Sequence, residues 1–121
     1  MSDSRITQLK TTIDARRSQR VVARVRIEVR RKTDGDGFMS EKSHTLVVNA
    51  HGALIHLVMK VEPNELLAIK HMMSGEVRHS RVVRVSKEVG RQNEVAVEFT
   101  EPAPHFWHID FPPDDWKRFQ E

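Results

Sequence analysis

The chain has 121 residues, enough for one domain at roughly 100 to 200 residues each. Hydrophobic residues make up 38% of it and cysteine is absent, which excludes disulfide scaffolds, thiolate metal sites and cysteine nucleophiles together. The net charge is +3, but residues 1–32 hold ten Lys or Arg against three acids while residues 101–121 hold two against five, a distribution that suits a local anion site near the amino end rather than a surface coated for duplex DNA.

Residues 1–15 read as an arm or short helix, with Ile6, Leu9 and Ile13 at spacings of three and four. From Arg20 to Arg31 the period changes to two, because Val21, Ala23, Val25, Ile27 and Val29 alternate with polar or outward positions, and this predicts a half-buried strand. The segment KTDGDGFMSEKS, with two Asp-Gly steps, is expected to be a hairpin loop. Two short strands follow, HTLVVNA and ALIHLVM, broken at His51-Gly52. Turns at Glu62-Pro63-Asn64, at Ser74-Gly75 and over Val89 to Asn93 then separate strands LLAIKHMM, EVRHSRVVRVSKE and EVAVEF. About six strands at short intervals, with no crossover helix, predict an all-β antiparallel barrel or sandwich.

Residues 101–121 differ in composition, holding four of the five Pro, both Trp and three of the five Phe. They are expected to form a tail in which Phe106, Trp107, Phe111 and Trp116 strap the barrel and close an open end; an exposed aromatic patch for a protein partner is the alternative. Pro113 followed by Asp114 and Asp115 suits a helix start, with Trp116 and Phe119 on one face.

The chemistry concentrates in Arg16-Arg17-Ser18-Gln19-Arg20, immediately before the first strand. A guanidinium offers five fixed donors, pairs bidentately with phosphate, matches the O6 and N7 acceptors of guanine and stacks on a base. Other chemistries lack their residues. The pair His105 and His108 has no convincing third ligand, so no metal site is expected. With neither a Gly-rich phosphate loop nor a nucleophile elbow, no catalytic residue is assigned and no enzyme is expected. Single-stranded RNA binding is disfavoured, because Tyr is absent and the aromatic residues lie away from the arginines. No apolar run approaches the ~18 residues of a spanning helix, and MSDSRITQLK lacks the apolar stretch of a secretory leader, so a cytoplasmic location without membrane association is expected.

The segment RRSQRVVARVRIEV, followed by TLVVNAHGALIHL and four more strands, resembles the PilZ domain, a bacterial receptor module for the second messenger cyclic di-GMP. The likeness covers residues 16–100. Arg16 and Arg20 match the family's R-x-x-x-R motif, and Val47 to Gly52 align with its D/N-x-S-x-x-G motif, with Val47 in the acidic slot and Asn49 in the serine slot. The resemblance implies a six-stranded antiparallel barrel that binds cyclic di-GMP without catalysis or cofactor. Arg16 and Arg20 would clamp the ligand with Arg17 as a helper, and Asn49 and Gly52 would complete the guanine site. It also leaves a second expectation, a PilZ-like adaptor without nucleotide binding that works through protein contacts of the aromatic tail. By strand period, Leu46 and Val48 should face the core and Val47 and Asn49 should face outward.

Overall fold

The computed structural model describes residues 19–112, the side chains of 87–89 excepted. Seven strands follow in chain order: β1 (Val21–Val22), β2 (Arg26–Lys32), β3 (Phe38–Asn49), β4 (Gly52–Leu57), β5 (Leu66–His71), β6 (Val77–Val89) and β7 (Gln92–Phe99). No helix occurs among the described residues. All pairings are antiparallel, and the order β3-β2-β5-β6-β7-β4 closes when β4 pairs with β3, giving a six-stranded barrel with β1 added on β3. The expected fold class is therefore found. The amino-terminal arm, Arg16, Arg17 and the expected helix after Pro113 with Trp116 and Phe119 lie outside the described residues.

Strand alternation builds the interior. Ile27 and Val29 of β2, Ile55 and Leu57 of β4, Leu67 and Ile69 of β5, Val82 of β6, and Val95, Val97 and Phe99 of β7 are all buried. At about 25 cal/mol per Å2 of apolar surface removed from water, such a filled interior is the main favourable term for the barrel.

The turns are tighter than their composition suggests. The polar stretch expected as a long hairpin loop turns within residues 33–37, where Gly35 adopts φ 84° and Thr33 N–H donates to the Gly37 carbonyl at 3.0 Å. Phe38 to Ser43 already belong to β3 and pair with β2. Their strand state left no period-2 signal, because this half of β3 lacks the β4 neighbour and most of its side chains are exposed.

A bulge corrects the expected core face. The pairing of β3 with β4 shifts between Thr45 and Val47, and the strand expected to run unbroken from Arg20 is split at residues 23–25. Thr45, only 1% exposed, fills the break. Its Oγ1 accepts from Val25 N–H at 2.9 Å and donates to the Ala23 carbonyl, adding side-chain bonds to the backbone bonds from Thr45 N–H to the Val25 carbonyl and from Ala23 N–H to the Leu46 carbonyl. Leu46, expected in the core, is thereby moved to a half-buried site, whereas Val48 is fully buried and Val47 and Asn49 are half-buried on the outer wall.

The described part of the tail plugs the barrel end where β2 begins and β5 and β7 finish. Phe106, Trp107 and Phe111 are buried against the core. Phe106 meets Phe99 edge-on at 5.2 Å and Trp107 at 4.8 Å between ring centroids, and Trp107 Nε1–H donates to the Gly52 carbonyl at 3.1 Å. Aromatic pairs of this geometry add about 0.5–1.5 kcal/mol each beyond the area that they bury.

Candidate functional site

Strand register lays out a continuous row on the outer wall. Val22 is opposite Val47, Val47 opposite Leu54, Leu54 opposite Ala96, and Ala96 opposite Arg84. Directly opposed residues share a face, so β1, β3, β4 and β7 contribute an apolar floor and β6 ends it with a guanidinium. Four interstrand spacings of about 4.8 Å give this floor a length of roughly 19 Å along the curved wall.

The row is the bed of a cleft of about 380 Å3 whose lining includes Arg20, Val22, Val47, Asn49, Leu54 and Arg84. Arg20 borders one end, and Arg84 borders the other. Neither has a carboxylate partner among the described residues. Two such guanidinium groups favour an anionic ligand, and the exposed Val22 and Leu54 wall favour one with an apolar face.

Two of the expected site residues, Arg20 and Asn49, lie 29 positions apart in sequence and line this one cleft. Asn49 ends β3, and its Oδ1 accepts from His51 N–H at 2.9 Å, which holds the Ala50-His51 turn. Its amide N–H groups remain as donors toward the cleft. Val47 lies in the floor and offers neither donor nor acceptor.

Gly52 sits beneath the cleft. A Cβ at this position would lie 2.0 Å from the Val97 carbonyl oxygen, so glycine is required by the close approach of β7. Its own carbonyl holds Trp107, and it does not line the cleft. Its contribution is to let the Asn49 turn pack tightly on β7.

Arg84 was not identifiable from the sequence. Counting by twos from the buried Val82 puts Arg84 inward, but β6 has its own bulge between Val82 and Arg84, which turns Arg84 to the wall. Only the cross-strand register shows that it faces the same row as Val47. In comparisons with known proteins, no family model matches the chain and no curated protein is detectably similar to it.

Proposed function

We propose that the protein is a non-catalytic PilZ-type receptor that holds cyclic di-GMP in the cleft between Arg20 and Arg84. The observation that carries this reading is the convergence on one cleft of Arg20, from the first motif, and Asn49, in the serine slot of the second. Arg20 would take a phosphate or the O6 and N7 edge of guanine, Asn49 would donate to the same edge, and the Val47-Leu54 floor would support the base. Arg84 adds a second cationic border. Titration calorimetry with cyclic di-GMP tests this. Wild type should bind, and Arg20→Ala and Arg84→Ala should each weaken binding by at least about 1.5 kcal/mol, roughly tenfold in Kd, while remaining folded.

A second reading, an adaptor that has lost the nucleotide and acts by protein contacts, is favoured by one observation. Val47 cannot accept from guanine N1–H and N2–H, and the Asn49 oxygen is already engaged by His51 N–H. Absence of heat with the wild-type chain would select the adaptor.

A further inference from the structure

The segment running from Arg20 to Arg26 borders a second cleft on its other side, of about 640 Å3, between this segment, the turn after β5 and the aromatic plug. Arg24 and Arg26 line it, both exposed and neither with a carboxylate partner among the described residues. His71, 6% exposed, lines the same cleft. Its Nδ1 accepts from Met73 N–H at 3.2 Å and Ser74 N–H at 3.4 Å, so the neutral ring carries its hydrogen on Nε2. Burial first, then the neighbouring His108, lowers the His71 pKa and keeps the ring neutral, against a smaller pull from Glu76. Ser74 Oγ accepts from Glu76 N–H, which leaves the hydroxyl hydrogen to donate. Glu76 does not line the cleft and is paired with Arg78 at 3.4 Å.

Met73, 90% exposed, supplies apolar contact surface among these donors, while Trp107 lines the cleft as a buried ring, 2% exposed. Guanidinium forks match phosphate oxygens, and an exposed methionine thioether suits contact with a flat aromatic group. We propose that this cleft binds a phosphate monoester carrying a flat apolar group, with Arg24 and Arg26 on the phosphate and Met73 against the apolar group. None of these residues lines the first cleft, so the assignment does not depend on what that cleft holds.

The test is a titration of the full chain with phenyl phosphate, followed by the NMR signals of the Trp107 indole N–H and the Met73 methyl. A saturable shift with Kd below about 1 mM is expected. Inorganic phosphate should bind at least about tenfold more weakly, having no apolar surface to bury. Benzyl alcohol, without charge, should give no saturable shift. The R24Q/R26Q pair should weaken phenyl phosphate by at least about tenfold, and Arg24→Gln alone should fall between it and wild type. These side chains are exposed, and the bond from Met72 N–H goes to the Arg26 backbone carbonyl, so the substitutions spare the fold. Arg84→Gln, in the first cleft, should leave the titration unchanged. Absence of a saturable shift with phenyl phosphate, or a shift that persists in R24Q/R26Q, would overturn the proposal.

Discussion

The two clefts share one stretch of chain and are built on opposite plans. The first lies on the side of the barrel, over a floor that is a single cross-strand row, and its cationic borders come from β6 and from the residue before β1. The second lies at the plugged end, where the floor is an imidazole and an indole held by the tail and by the turn after β5. Sheet register alone determines the first floor, whereas the second requires the barrel end, a turn and the tail to meet. A site made by register is robust to changes elsewhere, and a site made by docking fails with any of its parts.

The sharpest way to separate them is Phe106→Ala. Removing a ring that is 2% exposed and packed on Phe99, His71 and Trp107 should cost about 3–5 kcal/mol in denaturant unfolding. At low temperature, where the variant is folded, Arg20 and Asn49 resonances should match wild type while those of His71 and Trp107 move. Equal disturbance of both groups would remove the distinction.

Gly52→Ala tests the residue that supports both from behind, seating the Asn49 turn on β7 and holding Trp107 through its carbonyl. The added methyl meets the Val97 carbonyl oxygen and must displace β7 or the turn, with a loss of at least about 2 kcal/mol and a shifted Trp107 indole signal. Thr45→Val, nearly the same shape, deletes the two side-chain bonds that hold residues 23–25. It should cost about 1–3 kcal/mol and speed amide exchange at Val25.

A pH series addresses the second cleft alone. His71 is held below its ordinary value of 6.5, so the unfolded chain binds more protons in acid. Its contribution to stability is complete above pH 6.5 and is lost as pH falls through the lower folded value. His44 is shifted in the same direction, by burial first and then by Arg24 and His56, so the slope of unfolding midpoint against pH should flatten only in part in His71→Gln. The smallest stability effect belongs to the first cleft. Val47→Asp on the outer wall should change stability by no more than about 0.5 kcal/mol and tighten cyclic di-GMP up to about tenfold by supplying the missing acceptor. A loss of several kcal/mol would mean that the floor is load-sharing with the core and is not a surface.

Where period and burial coincide, the sequence was sufficient. Ile27, Val29, Val95, Val97 and Phe99 are buried as alternation requires, and Gly35, Gly75 and Gly90 turn the chain with positive φ. Legibility ended at the bulges, because one inserted residue reverses the parity of everything beyond it. That single effect displaced Leu46 from the core and concealed Arg84. Gly52 was expected at a break between two strands and in the guanine site, yet the constraint on it comes from β7, more than forty residues later. The second cleft left no local signal, since Arg24, His71 and Trp107 become neighbours only when the tail reaches the barrel end.

Among the described residues, closure of the barrel leaves one stretch of β3 without a strand neighbour on its second side, from Phe38 to Ser43, beyond the reach of the pairing with β4. An open edge of this kind templates strand addition by another copy of the chain, and Phe38 and Met39 would reward it with apolar contact. Glu41 obstructs this by turning its carboxylate onto the N–H groups of Val58 and Met59, at 2.7 and 2.9 Å, and Ser43 donates to the His56 carbonyl. The loop after β4 is thereby fastened along the gap, and an incoming strand meets a charge where its first ladder bonds would form. Glu41 thus ties a loop across an edge that would otherwise be open to strand addition.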